Sequence, residues 1–286
     1  MIHNNSPFIY SEKTKYSIDN QLSVIEANSN SFEINVLAKI EETISIICRK
    51  GELRYNINAL EYIAKAPCMI IMMVKHFVEI NAVSDDFDGT IVLMTNEFTE
   101  NLGIEDRVSP FLAVFNNSYI SLKEIELNSL VEFCSIIKKI SRNNENPLII
   151  ESAKHLIKAY YYGLGYALFF NDNNENKSQN KLLTNDFLNI VQKDYHHQRK
   201  VKYYSDILHL TPKYLSKVIK QRTGFSASKW INKFVLMEAK TLLKSTDLTI
   251  QQITYKLNFP SQSFFGKCFK KNTGMSPSEY RAKRIN

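Results

Sequence analysis

Cysteine is scarce in this chain and poorly placed for chemistry. Its 286 residues hold four, Cys48, Cys68, Cys134 and Cys268, with no CxxC pair and no Cys/His cluster. A structural zinc site draws four ligands together, usually from close pairs, so that class is unsupported, as is a disulfide framework; buried free thiols are expected. Histidine is equally thin. A metal centre built on strands needs two closely spaced histidines and a nearby glutamate, whereas the strand-rich region offers His76 with Glu79 three residues on. His76 is expected to be a strand residue with an ordinary hydrogen-bond partner. His196 and His197 fall in a helical stretch without the acid or cysteine that would make them catalytic. Paired carboxylates, a metal triad and a nucleophile motif are all missing, so neither an enzyme nor a cofactor is expected. Long apolar runs are missing too. The longest, Ala66 to Val74, is far short of a membrane span, and the first thirty residues hold no signal-peptide core. A cytoplasmic protein without membrane association is expected.

Charge is abundant, and it is uneven. Residues 182–286 carry 19 Lys and Arg against 6 Asp and Glu, a net +13, while residues 1–181 carry the remaining 17 against 23, a net −6. A basic segment joined to an acidic one points to a nucleic-acid-binding module attached to something that does not bind nucleic acid.

The pattern of the front half changes once. From about Phe32 to Thr95 it reads as strands: Leu53 to Asn58 alternates apolar with polar, and Met69 to Val74 is a continuous run suited to a strand buried on both faces. Ser84 to Gly89 is turn chemistry, followed by another apolar run, Ile91 to Met94. Several short strands between turns predict a small barrel or sandwich. Helical periodicity follows after about residue 120. Leu122 to Ile140 lines Leu127, Leu130, Val131, Cys134, Ile137 and Ile140 along one broad face. Leu148 to Phe170 is a second striped helix, in which Tyr160 to Tyr162 and Gly163/Gly165 are expected to be packing features. Of these faces, Leu127, Leu130, Cys134 and Ile137 are the expected contact with a second copy of the chain. Asn171 to Asn180 has no apolar residue and reads as a linker. The expected domains are therefore 1–170, a linker at 171–181, and 182–286.

The basic half repeats one phrase about fifty residues apart. Leu208 to Gly224, followed by Ser226 and Trp230, is matched by Leu257 to Gly274, followed by Ser276 and Tyr280. One residue near Pro260 is inserted. Thr211 answers Ser261, Tyr214-Leu215 answer Phe264-Phe265, and Thr223-Gly224 answer Thr273-Gly274. Each copy reads as a short helix, a tight turn and a second helix with a lysine-bearing outer face, which is a helix-turn-helix. Thr211-Pro212 offers an N-cap with proline at the first helical position. Thr249 to Gln252 and Ser276 to Glu279 are capping boxes, and Gly224 and Gly274 suit left-handed helix ends. Ser226 to Lys244 forms a long helix between the motifs, with Trp230, Phe234, Ala239, Leu242 and Leu243 turned to the core. On the first reading helix Tyr214, Leu215, Val218 and Ile219 are expected to face inward; on the second, Phe264, Phe265, Cys268 and Phe269. Lys213, Ser216, Lys217, Gln262, Ser263, Gly266 and Lys267 are left outward, and Gln and Lys can hydrogen-bond purine edges. Lys220, Arg222, Lys270 and Lys271 are better placed for phosphates. Gly266 removes a side chain where a contact could have been, so the second head is expected to read through fewer groups.

Tyr214-Leu-Ser with Gly224 in the first motif, and the run from Leu257-Asn-Phe through Ser261, Ser263, Phe265, Lys267 and Phe269 to Tyr280-Arg281 in the second, closely resemble the AraC/XylS family of transcription regulators. The resemblance covers roughly residues 185–284. It implies seven helices carrying two helix-turn-helix motifs that enter successive major grooves on one face of double-stranded DNA. The positions matching the family's base contacts are Lys213, Ser216 and Lys217, then Gln262, Ser263 and Lys267. Ser205 and Thr254 stand where the family usually has alanine, and a hydroxyl there needs a partner. The front half resembles the family's cupin-like sensor domain by strand pattern and by its two following helices. The expected architecture is thus α+β and multidomain: an N-terminal small β-barrel (cupin-like) plus two helices, then an all-α domain with two helix-turn-helix motifs joined by a long helix. The expected function is a sequence-specific transcription regulator working as a homodimer with RNA polymerase, activation being favoured by the resemblance, under control of an unknown small-molecule effector in the front barrel. The alternatives are a barrel-domain enzyme with a DNA-tethering tail and a non-specific architectural DNA protein.

Overall fold

In the computed structural model, which describes residues 7–9, 15–102, 118–142, 146–171 and 179–283, the chain divides into two compact units, one within residues 6–175 and one chiefly within 176–286. The front unit begins with strands β1 (Lys15–Ile18), β2 (Leu22–Asn28), β3 (Leu37–Lys39), β4 (Glu42–Lys50), β5 (Glu52–Ile57), β6 (Leu60–Lys65), β7 (Cys68–Met72), β8 (Phe77–Val83) and β9 (Asp88–Thr95). Helix α1 (Asn96–Glu100) and strand β10 (Tyr119–Ser121) precede two long helices, α2 (Glu124–Ile140) and α3 (Ile149–Asn171).

Period-two patterning decides how these strands stack. The ladders are antiparallel and form a six-stranded sheet, β1-β2-β9-β4-β7-β10, and a four-stranded sheet, β3-β8-β5-β6. Among the described residues no ladder joins the two sheets, so the expected small barrel takes the form of two stacked sheets. In β5 the inward residues Leu53, Tyr55 and Ile57 are buried between them, and Ile44, Ile46, Cys48, Ile70, Ile91 and Leu93 meet them from the larger sheet. The intervening Ile47, Met69, Ile71, Val92 and Met94 point the other way, into a second core with Leu130, Cys134 and Ile137 of α2 and Ala153, Ile157 and Tyr161 of α3. The unbroken apolar runs of β7 and β9 follow from that double burial. Inside α3, Tyr161 shares a 2.9 Å hydrogen bond with Ser45 of β4, and Tyr160 stacks on Phe133 with ring centroids 4.5 Å apart.

Several expectations differ from the structure here. Leu130, Cys134 and Ile137 are buried in the front unit's own core, and half-buried Leu127 packs against the same cluster. Their spacing marks the face that α2 lays on the sheet, which is the commoner reason for an apolar stripe, so they are not a free dimer surface. Burial pushes the Cys134 thiol up to about 12. His76 lies in the turn between β7 and β8, where its Nδ1 accepts the Met73 N–H at 3.1 Å. Burial holds its pKa down to about 4, so the ring is neutral near pH 7. Cys48, Cys68 and Cys134 are buried thiols, whereas Cys268 is half-buried. Of the expected linker, Asn171 ends α3 and Gln179 already begins the next helix; residues 172–178 lie outside the described residues.

One polar network locks α2 to the sheet. Arg49 donates from Nε and Nη2 to both carboxylate oxygens of Asp88 at 2.7 Å, and from Nη2 to Glu26 at 2.8 Å. Lys138 of α2 closes on the other Glu26 oxygen. Burial alone would raise the Glu26 pKa, but the hydrogen bonds and charges of Lys138 and Arg49 hold it below the ordinary glutamate value.

The second unit is all helix: α4 (Gln179–Asp194), α5 (Val201–Ile207), α6 (Pro212–Thr223), α7 (Ala227–Ser245), α8 (Ile250–Lys256), α9 (Gln262–Thr273) and α10 (Pro277–Ala282). His196 and His197 fall in the turn after α4 and not within it. Helix α7 is the spine. Trp230, Ile231, Phe234, Val235, Ala239, Leu242 and Leu243 are buried along it, as is Glu238, whose carboxylate accepts the Tyr195 hydroxyl at 2.8 Å.

Candidate nucleic-acid interface

The sequence repeat is a structural repeat down to single hydrogen bonds. Each motif turns through one left-handed residue, His209 at φ 53° and Asn258 at φ 53°, types that tolerate that region better than most. Across the turn Leu210 donates to the Ser205 carbonyl at 2.8 Å and Phe259 to the Thr254 carbonyl at 3.0 Å. The two hydroxyls that stand in place of alanine find partners within their own helices: Ser205 donates to the Lys202 carbonyl and Thr254 to the Ile250 carbonyl, at 2.8 and 2.7 Å. Neither disturbs the packing, and both residues are buried.

The reading helices α6 and α9 start and stop alike. Thr211 and Ser261 accept the N–H of the third helical residue, Tyr214 or Phe264, at 3.2 Å in each case. Gly224 and Gly274 end the helices at φ 76° and 79°, the left-handed conformation that favours glycine. Just before them Thr223 and Thr273 each donate to the carbonyl four residues back, at 2.7 and 2.9 Å, and each accepts the N–H two residues on, at 3.3 Å. Thr223 also receives the Trp230 indole N–H at 2.7 Å, so Trp230 is a core residue with its polar edge satisfied. Ser276 and Glu279 form the expected capping box on α10, and Thr249 and Gln252 the one on α8.

On this scaffold the outward residues fall where the spacing puts them. Lys213, Lys217, Lys220 and Arg222 are exposed on α6, with Ser216 half-buried; Gln262, Ser263, Lys267, Lys270 and Lys271 are exposed on α9. Gly266 has open space where a Cβ would stand. No ion pair among the described residues engages these lysines, which leaves their charge available to an external anion. The inward sets are smaller than expected. Leu215, Val218 and Ile219 are buried on α6, and Phe265 and Phe269 on α9, but Tyr214 is 49% and Phe264 55% exposed. Both lie about 100° around the helix from their buried neighbour, on the shoulder of the wheel, so apolar character alone misassigned them. Cys268 is half-buried.

A residue that spacing did not reveal ties the two heads together. Arg199, just ahead of α5, donates to the Leu257 carbonyl in the turn of the second motif and lies 4.1 Å from the centroid of the Phe259 ring. Arg281 of α10 likewise donates to the Leu243 and Leu248 carbonyls at the end of α7 and just beyond it. Such contacts join segments far apart in sequence, and no local pattern marks them. Among the described residues no cluster of three His, Cys, Asp or Glu is placed to hold a metal ion, and no helix is long and apolar enough to cross a membrane.

Known proteins share this unit. A family model described as a helix-turn-helix domain matches residues 204–283. The arabinose operon regulatory protein of Salmonella typhimurium is 38% identical over 73 residues, 26% of this chain and 26% of that protein. An uncharacterized HTH-type transcriptional regulator of Escherichia coli, YijO, is 36% identical over 73 residues, again 26% of each. Among solved structures, the C-terminal domain of AraT, a response regulator from Geobacillus stearothermophilus, is 30% identical, covering 36% of this chain and 87% of that one with a TM-score of 0.35. The match spans about a quarter of the length of these two curated relatives. With two helix-turn-helix motifs of one geometry and these two curated relatives, residues 204–283 form a helix-turn-helix domain of the AraC type.

Proposed function

We propose that this protein is a sequence-specific transcription regulator that sets α6 and α9 into two successive major grooves of double-stranded DNA. One observation carries the reading: two reading helices with the same caps, turns and C-terminal glycines each present unpaired cationic and polar side chains to solvent. Lys213, Ser216 and Lys217 read base edges in the first groove, and Gln262, Ser263 and Lys267 in the second. Lys220, Arg222, Lys270 and Lys271 hold phosphates and set the register. In this reading the front unit joins two copies of the chain, the bound pair recruits RNA polymerase, and activation is the favoured outcome. A small effector would act through the front unit by binding one presentation of the heads more tightly than another. The inner faces of the two sheets are filled by side chains such as Tyr55, Ile46, Ile70 and Leu93, which favours a second version in which the front unit pairs chains and takes no ligand there.

Mapping of genomic binding sites in the host cell tests the reading, with wild type beside a Lys217→Ala/Lys267→Ala double variant. Discrete sites sharing two elements about one helical turn apart, lost in the variant, are expected. Diffuse occupancy kept by the variant would show binding without reading, and the regulator assignment would fall.

A further inference from the structure

The two half-exposed aromatics carry an inference of their own. A single exposed tyrosine or phenylalanine on a surface needs no explanation. Here the exposure recurs at one structural position in both heads. Tyr214 and Phe264 are each the third residue of a reading helix, behind the same hydroxyl cap. Each stands one turn before an exposed lysine, Lys217 or Lys267, and two turns before a second exposed polar residue, Gln221 or Lys271. Each stripe therefore runs aromatic, cation, polar along the flank of the outer face. The residues of a helix-turn-helix that meet base edges are those near the start of its second helix. The feature that an apolar ring can distinguish in the major groove is the C5-methyl group of thymine.

We infer that Tyr214 and Phe264 are specificity-determining residues, each reading one thymine by apolar contact with its methyl group. The first head thus combines Lys213 and Lys217 with a thymine contact at Tyr214. The second, which lacks a side chain at Gly266, regains discrimination through Phe264. Phe264 is also braced, its ring centroid 6.2 Å from that of Phe259 in the preceding turn. This inference rests on the regulator reading above.

The test begins with selection of binding sites from random duplexes by the purified full-length wild type. Each thymine of the selected consensus is then replaced, one at a time, by deoxyuridine, which removes the methyl and nothing else. The expected result is one thymine in each element whose methyl strengthens wild-type binding about fourfold, as burial of one such group provides. Tyr214→Ala should be indifferent to that change in the first element and Phe264→Ala in the second, while Tyr214→Phe keeps wild-type sensitivity. Because each side chain is about half exposed, the alanine variants should remain folded at the temperature of the binding assay, which a melting curve checks. A consensus with no methyl-sensitive thymine, or sensitivity that survives in the alanine variants, overturns the inference and leaves the regulator reading standing. Loss of affinity in Tyr214→Phe equal to that in Tyr214→Ala would also overturn it, by assigning the contact to the hydroxyl and a phosphate. Failure of the wild type to select any consensus overturns both readings.

Discussion

The two helix-turn-helix motifs share a skeleton and differ in what they show to solvent. Caps, left-handed turn residues, threonine brackets and terminal glycines coincide, while Lys213, Ser216 and Lys217 on one side face Gln262, Ser263, Gly266 and Lys267 on the other. The shared set satisfies backbone groups that would otherwise be buried without partners, so any helix-turn-helix of this shape must supply it. Of the differing set, Ser216 and Gly266 are half-buried and the others exposed, so the fold itself constrains them little. A duplicated element therefore separates what the fold demands from what recognition chooses.

The heads differ most in their anchors, and the largest effect should come from breaking one. Trp230 is fully buried with its indole N–H bonded to Thr223, whereas its counterpart Tyr280 is half-buried. Trp230→Ala should cost about 3–5 kcal/mol in denaturant unfolding, and Tyr280→Ala clearly less. Equal costs would show that burial does not rank the two anchors. Reading residues should behave in the opposite way. Lys217→Ala should weaken specific binding by about 1–3 kcal/mol, with the melting temperature held, and unchanged affinity in a titration against the selected site would remove Lys217 from the reading face.

Smaller effects sharpen the comparison. Arg199 bridges from the segment before the first head to the turn of the second, so Arg199→Ala should lose about 1–2 kcal/mol of stability. It should also bind DNA elements set one base pair too close or too far with less penalty than the wild type does. A spacing profile identical to wild type would leave the arginine a packing role alone. Gly224→Ala and Gly274→Ala should each cost about 1 kcal/mol, and equally: both sit at positive φ with no neighbour within 4 Å of a Cβ, so backbone strain is the whole effect. Unequal melting shifts would mean the two helix ends are not the equivalent structures their dihedrals describe.

The sequence alone placed both helix-turn-helix motifs, because their caps, turns and glycines are local requirements with local signatures. It also marked β5, β7 and β9 through alternation or unbroken runs, and it separated a basic half from an acidic one. Tertiary structure decided the rest. Whether an apolar stripe meets a neighbour within the chain or another molecule depends on what packs across from it. That is why Leu130, Cys134 and Ile137 proved to be core, and why Tyr214 and Phe264 proved to be surface. Arg199 on Phe259, and Arg49 with Glu26, Asp88 and Lys138, join residues tens of positions apart. Pairings of that kind are set by how helices and sheets stack, a property of the folded chain that no window of sequence contains.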